Sequence, residues 1–173
     1  MIARQKWVEH QFNLGIHPGW AQNIVSRLSD TEIRLKSHSD NLSDKILSQK
    51  DGDSWSIKEH IGHLVDLEEL HIKRLQEFSK LKETLSPADM LNIKTEDANH
   101  NAKAISMLVD QFSEARAKLI ATFYSFDDTV QQHEAFHARL GLKMKPVDML
   151  FFTAEHDDHH IASIIEIKKN MGL

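Results

Sequence analysis

Glycine and proline are scarce in this sequence, and their scarcity restricts the fold more than any other feature. Only 6 glycines and 3 prolines occur among 173 residues, too few to separate the many short strands of an all-β protein. Apolar residues instead recur at spacings of three, four and seven over four long segments, as in amphipathic helices. Because no single amphipathic helix can bury its own apolar stripe, the sequence predicts an all-α four-helix bundle.

The first two predicted helices have recognisable boundaries. Pro18 can occupy a first helical turn, and the first helix should end where serine, aspartate and asparagine cluster at 37–41. Ser56 and Glu59 match a capping box, in which the hydroxyl and the carboxylate each bond a backbone N–H, so the second helix should run from there to about Ser79. The predicted apolar stripe of the first helix comprises Trp20, Ile24, Leu28, Leu35 and Leu42.

The other two helices follow after long connections. Thr95, with acidic residues directly behind it, predicts the start of the third helix, and Pro146 predicts the start of a fourth that reaches about Lys169. The connections at 81–92 and 127–145 are longer than an up-and-down bundle needs. Long connections often serve a functional site.

Charge and hydropathy exclude several partners. Lys and Arg number 21 and Asp and Glu 26, a net charge of −5, so we expect no binding to nucleic acid or to a membrane surface. No apolar run is long enough to span a membrane, and the first residues do not resemble a signal peptide, so we expect a cytoplasmic protein. The length suits one domain over 1–173, with an N-terminal arm at 1–16.

Histidine is the unusual component of the composition. The chain has 12 histidines and no cysteine, so imidazole and carboxylate are its only strong ligands for a transition metal. On the fourth helix, His156 and His160 lie one turn apart at the core-facing flank, close enough to bind one ion, whereas His159 falls on the solvent side. On the second helix, His60, His63 and His71 all lie in or near a wide apolar arc, and the helical positions do not choose among them.

Two carboxylates are predicted inside apolar faces. Asp157 can either accept the ring N–H of a metal-bound histidine or form an ion pair with a basic residue of another helix. Glu68 lies in the middle of the apolar arc of the second helix, where a buried ion pair is the simplest interpretation.

A competing motif occurs at 133–137. The sequence HEAFH matches H-E-x-x-H, in which His133 and His137 would bind zinc and Glu134 would act as the general base of a zinc protease. Gly141 follows closely, so a helix that contains this string would have barely two turns. The third histidine of the extended motif is also missing. We therefore treat His133 as a surface residue like His159, and the zinc protease as an alternative.

Two longer stretches resemble a known family. WSIKEHIGHLVDLE at 55–68 resembles the second-helix signature of the DinB-like (YfiT-type) metalloproteins, and AEHDDHHIA at 154–162 resembles their fourth-helix signature. Shorter matches to one branch are NIKT at 92–95, ANHN at 98–101, and HARL at 137–140 followed by Met144. The resemblance runs from about Trp7 to Ile167, and one departure is Ala138, where that branch tends to have proline.

The resemblance implies one divalent ion held by His63, His156 and His160 in a four-helix bundle. The choice of His63 over His60 rests on the resemblance alone. Three protein ligands leave positions open for water or substrate, as in catalytic zinc sites, and zinc or nickel is expected, with iron or manganese as alternatives. The resemblance also implies a homodimer and the transfer of low-molecular-weight thiols or the hydrolysis of small molecules.

Together these features predict a metal-dependent enzyme for a small-molecule substrate, either a thiol S-transferase or a hydrolase. With no cysteine in the chain, any thiol must arrive with the substrate. His137, Asp157 and Glu68 are the candidates for a base or an orienting group. The alternative is a non-catalytic metal-binding or stress-response module in which the ion braces the bundle.

Overall fold

The computed structural model describes residues 4–173, and four long helices dominate them. The short elements lie in the connections. In chain order the helices are α1 (Ala21–Ser39), α2 (Asp44–Leu47), α3 (Ile57–Ser79), α4 (Ile93–Asp97), α5 (Ile105–Tyr124), α6 (Asp128–Gln132) and α7 (Pro146–Asn170), with strands β1 (Ala135–His137) and β2 (Leu142–Met144) between α6 and α7, and 3-10 turns at Trp7–Glu9, Pro18–Trp20 and His100–Ala102.

The bundle does not place successive long helices side by side throughout. Helix α3 packs against α5 and α7, and α1 packs against the same two helices, so α1 stands across the bundle from α3, and α5 across from α7. The connections from α1 to α3 and from α5 to α7 must therefore cross an end of the bundle. This crossing explains the length of the connection at 127–145, but not that of 81–92, which joins the neighbouring helices α3 and α5.

Most predicted boundaries are confirmed. The capping box of Ser56 and Glu59 is present, with both of its hydrogen bonds, and α7 begins at Pro146. The first helix proper starts at Ala21, after a 3-10 turn that contains Pro18. Of its predicted stripe, Trp20 is exposed and Leu42 lies beyond the end of the helix.

The predicted start of the third helix at Thr95 is wrong. Thr95 belongs to the five-residue α4, and α5 begins ten residues later at Ile105. Asn99 interrupts the chain with a left-handed φ of 46°, and Lys103 and Ala104 are extended. The small antiparallel hairpin of β1 and β2 was also not predicted; it pairs Phe136 with Lys143.

A layer of buried polar residues divides the core. Apolar clusters fill the bundle above and below it, and each long helix contributes one residue to the layer: Thr31, Glu68, Arg116 and Asp157. The guanidinium of Arg116 contacts Glu68 Oε1 at 2.6 Å through Nη2 and Asp157 Oδ2 at 2.5 Å through Nη1. Thr31 Oγ1 donates to Asp157 Oδ2 at 2.8 Å, so the layer ties all four helices together.

The N-terminal segment lies along the bundle. Predicted as an arm over 1–16, it has its first three residues outside the described range, and the rest has no regular secondary structure except for one 3-10 turn. The backbone N–H groups of Gly15 and Ile16 donate to Asp148 Oδ1, each at 2.9 Å. Among the described residues, no helix is long and apolar enough to cross a membrane.

Candidate metal centre

Helices α3 and α7 bring three imidazoles together. His63 faces His156 and His160 across the interface between the two helices, all three are buried, and one nitrogen of each lies within 4.8 Å of the others. The Nε2 atoms of His156 and His160 are 3.2 Å apart. Two nitrogens that share one tetrahedral zinc ion at 2.0–2.1 Å stand about 3.3 Å apart. The spacing and the all-nitrogen donor set therefore fit a zinc-like ion.

His63 has its ring oriented by a chain of hydrogen bonds. Its Nδ1 lies 3.0 Å from Thr95 Oγ1, and this hydroxyl donates to Asp66 Oδ2 at 3.0 Å. A hydroxyl has one hydrogen to donate, so Thr95 must accept from Nδ1–H of His63. The proton is thereby held on Nδ1, and Nε2 of His63 remains free as a ligand atom.

His100 extends this series of hydrogen bonds, because it also contacts Asp66. Its Nε2 lies 2.8 Å from the same Asp66 Oδ2, and Lys103 Nζ donates to its Nδ1 at 3.3 Å. Burial opposes ionisation of Asp66, but the bonds from His100 and Thr95 outweigh it and lower the pKa of this carboxyl. Gly62 admits the imidazole, because a Cβ atom there would lie 2.2 Å from His100 Cγ.

His160 has a corresponding partner in His60. The Nδ1 atoms of these two residues are 2.9 Å apart, so one nitrogen donates and the other accepts. When His160 donates, its Nε2 keeps a free lone pair directed toward the other two imidazoles of the triad. His156 differs, because its buried Nδ1 has no hydrogen-bond partner within residues 4–173.

Burial keeps these histidines neutral. It lowers the pKa of His63 to about 4, although Asp66 opposes the shift, and together with the neighbouring His63 it lowers the pKa of His60 to about 4. The pKa values of His156 and His160 also lie well below 6.5, first through burial and then through neighbouring histidines, which include His63 for both. Neutral imidazole is the form that binds a metal, so no proton has to leave at pH 7.

The triad forms part of the wall of a cleft of about 330 Å³. Two tryptophans cover the triad: the ring of Trp55 lies 4.7 Å from that of His63, and the ring of Trp7 lies 4.9 Å from that of His156. The polar side chains that line the rest of the cleft include His71, Arg74, His137, Arg139 and His159. This volume is at the lower end of the range for small-molecule sites.

His137 lies in this cleft, whereas the other two candidate groups do not. It ends β1, is 2% exposed, and its Nε2 has no partner among the described residues. Asp157 and Glu68 are both held by Arg116 in the polar layer. The ion-pair interpretation of Asp157 is therefore the one that the structure supports, and the interpretation as an acceptor for a ligand histidine is not.

The zinc-protease interpretation is wrong for this fold. A zincin holds both histidines of H-E-x-x-H on one helix, but His133 directly follows α6 and His137 lies in a strand. The Nε2 of His133 contacts the backbone oxygen of Lys82 at 2.8 Å. His159 also departs from expectation: it is half-buried at the cleft and contacts Arg4.

Several residues of the site were not identified from the sequence. Asp66 occurs in the matching stretch WSIKEHIGHLVDLE, Thr95 and His100 in the short strings NIKT and ANHN, and Arg139 in HARL, but no pattern assigned any of them a role at the site. Arg74 and Trp7 gave no signal of their own. Their function depends on contacts between segments far apart in the chain.

Comparisons with known proteins agree with this fold. The YfiT protein from Bacillus subtilis, described as a probable metal-dependent hydrolase with an unusual four-helix bundle topology, superposes with a TM-score of 0.82 at 18% identity, covering 95% of this chain and 94% of that one. A mycothiol-dependent maleylpyruvate isomerase superposes with a TM-score of 0.66 at 11% identity, covering 82% of this chain and 59% of that one. Comparison with curated protein sequences gives no match. The sequence model of the DinB superfamily matches residues 27–164, and the chain therefore belongs to the DinB superfamily.

Proposed function

We propose that this protein is a metal-dependent enzyme that acts on a small molecule, with one divalent ion held by His63, His156 and His160. The main observation in support of this proposal is that three neutral imidazoles converge at the wall of a cleft. Zinc and nickel are the favoured ions. The ion would act as a Lewis acid that lowers the pKa of bound water or of a substrate thiol.

An open coordination position favours catalysis over a bracing role. In the described part of the chain the cluster contains three protein ligands, whereas structural zinc sites usually have four. The nearest additional imidazole, His60, has its Nδ1 bonded to His160 and acts as an orienting partner.

The chain's own residues divide the remaining tasks. Thr95 and His60 hold the ligand rings in orientation. Trp7, Trp55 and Phe152 provide an apolar wall that excludes water from the reacting groups. His137 is the favoured orienting group, because Leu140 N–H donates to its Nδ1 at 3.4 Å, which leaves the ring proton on Nε2, free to donate in the cleft. Burial, with Arg74 and Arg139, lowers its pKa to about 4 and keeps the ring neutral at pH 7.

Two reaction classes fit this arrangement. Hydrolysis is supported by the likeness to YfiT, which is described as a probable metal-dependent hydrolase. Thiol chemistry is supported by the likeness to a mycothiol-dependent enzyme. The absence of cysteine requires that the thiol be a substrate.

The experiment is an activity screen of chelator-treated protein before and after addition of Zn²⁺ or Ni²⁺. One arm uses p-nitrophenyl acetate for hydrolysis, and the other uses a small thiol with a chlorodinitrobenzene electrophile. We expect activity in one arm that returns with metal, is lost in His63→Ala and is retained in His133→Ala. Metal-loaded protein with no activity in either arm would favour the non-catalytic module instead.

A further inference from the structure

We propose that the substrate carries an anionic group, a carboxylate or a phosphate, which Arg74 and Arg139 bind beside His137 in the cleft. The inference rests on the proposed function and deepens it by naming the class of substrate. It also makes a prediction that needs no metal, namely that the protein binds small anions at this position.

The two cleft arginines differ from every other arginine of the chain. All six arginines lie within the described residues. Four of them form salt bridges with carboxylates: Arg4, Arg27, Arg34 and Arg116. Arg74 and Arg139 form none within residues 4–173, and both line the same cleft.

Arg139 is held in place by aromatic rings, but one of its N–H donor groups lacks an acceptor. Its Cζ lies 5.5 Å from the ring centre of Trp7 and 5.4 Å from that of Phe152, so the guanidinium packs against two aromatic rings. Its Nη2 is nevertheless buried and has no hydrogen-bond partner among the described residues. A buried donor without a partner is costly, and an anion in the cleft would supply the missing acceptor.

Arg74 is more deeply buried, at 2% exposed. Its Nε donates to the backbone oxygen of Ser86 at 2.9 Å, which fixes the plane of the guanidinium. Burial lowers the pKa of Arg74 to about 10, with the nearby Arg139 adding to the effect and Glu77 opposing it. The arginine is still charged at pH 7, so the wall of the cleft carries two guanidinium groups.

No carboxylate within residues 4–173 forms a salt bridge with either arginine of this wall. Glu77 accepts bonds from Ser86 and Lys82. Asp89 is the one carboxylate among the described residues that line the cleft, and its two oxygens accept the N–H groups of Leu91 and Ile93. Guanidinium forks match the geometry of carboxylates and phosphates, and the free Nε2 of the neutral His137 can add a third donor.

The position of this anion site restricts the substrate. The indole of Trp7 contacts both groups of residues, since its ring lies 4.9 Å from that of His156 and 5.5 Å from Cζ of Arg139. The arginines and the histidine triad line the same cleft, so a small molecule bound by the arginines can present another of its groups to the triad. The substrate class is a small molecule with an anionic end and a separate reactive centre.

The test is isothermal titration calorimetry of the whole, chelator-treated protein with inorganic phosphate in one arm and succinate in the other. The stronger arm identifies the anion. We expect Arg139→Gln to weaken the binding of that anion at least tenfold, Arg74→Gln to do the same, and Arg139→Lys to restore it only in part, because lysine lacks the guanidinium fork. The matched control is Arg27→Gln, which removes a surface arginine and should leave binding unchanged.

Two results would overturn the proposal: binding of neither anion to the wild-type protein, or binding that survives Arg139→Gln but is lost in His63→Ala. Circular dichroism on each variant identifies misfolding, and the half-buried Arg139 keeps the test available if Arg74→Gln does not fold. Metal content of the same preparations separates the two claims. A protein that binds metal but no anion contradicts this inference alone, and one that binds an anion but no metal contradicts the proposed function.

Discussion

The Nδ1 atoms of His60 and His160 lie 2.9 Å apart, which joins α3 to α7 through two imidazoles directly beside the candidate metal centre. His60 is thus placed to fix the tautomer and the ring orientation of His160, a candidate ligand, without itself belonging to the triad. Such supporting bonds typically change metal affinity by 10–100-fold.

We expect His60→Ala to retain one metal ion per chain but to bind it about 10–100-fold more weakly. The measurement is competition for Zn²⁺ against a chromophoric chelator at pH 7. His133→Ala, which removes a histidine outside the cleft, is the matched control and should bind with wild-type affinity. Complete loss of the ion from His60→Ala would make His60 a ligand, contrary to the arrangement described here.

Thr95→Val should also weaken metal binding by about tenfold or more, because valine keeps the shape of threonine but removes the acceptor for His63 Nδ1–H. The same chelator competition measures the effect. Thr95→Ser should recover most of the metal affinity. The matched control is Thr122→Val, because the hydroxyl of Thr122 donates to Lys118 O of its own helix; this variant should bind metal with wild-type affinity. Equal metal affinity in Thr95→Val and wild type would show that Thr95 does not orient His63 for metal binding.

Arg116→Met should destabilise the fold by about 3–5 kcal/mol, because it leaves two buried carboxylates without their cation. Burial opposes ionisation of Glu68, but Arg116 and His71 lower its pKa to about 2, so this carboxylate is charged at pH 7. Urea denaturation measures the free energy of unfolding. Arg27→Met, which breaks partly exposed ion pairs with Glu155 and Asp158, should cost below about 1 kcal/mol. Similar losses in both variants would contradict the role of the polar layer.

The metal-free protein should lose stability as the pH falls below about 6.5. Burial holds the pKa of His60, His63 and His137 at about 4 in the fold, whereas histidines in an unfolded chain titrate near 6.5. Between these values the unfolded state binds more protons, so the free energy of unfolding falls with pH from 6.5 toward 4, and it is unaffected above this window. For His63 alone the loss is about 1 kcal/mol per pH unit.

Urea denaturation in EDTA at pH 7.5, 6 and 5 measures this dependence above the range in which carboxyl groups ordinarily titrate. His137→Gln removes one of the three histidines and should make the decline shallower. Stability that is constant from pH 7.5 to pH 5 would show that these imidazoles are not kept neutral by the fold.

The helices that local signals define could be predicted from the sequence. The capping box of Ser56 and the proline at 146 mark real helix starts because their bonds and torsions are local. The start at Thr95 was wrong because the left-handed Asn99 interrupts a segment whose composition suits a helix. The pairing of helices across the bundle could not be read from the stripes, since a stripe shows which face is buried and not which helix covers it.

The candidate site was predictable to the same extent. The pair His156 and His160 follows from helical spacing, which is a local property. His63 was chosen over His60 by resemblance, and in the fold the two differ by their neighbours: Thr95 for His63 and His160 for His60. The supporting chain through Asp66 and His100 joins α3 to the segment before α5, so only the folded chain assembles it.

The most direct test of the metal centre is the metal content of purified wild-type protein and of its His63→Ala, His156→Ala and His160→Ala variants, measured by plasma mass spectrometry after loading with Zn²⁺ and desalting. We expect about one ion per chain in the wild type, in agreement with one triad, and little or none in each variant, with the fold retained by circular dichroism. Wild-type protein that retains no ion, or triad variants that retain as much as the wild type, would contradict a metal centre formed by these three histidines.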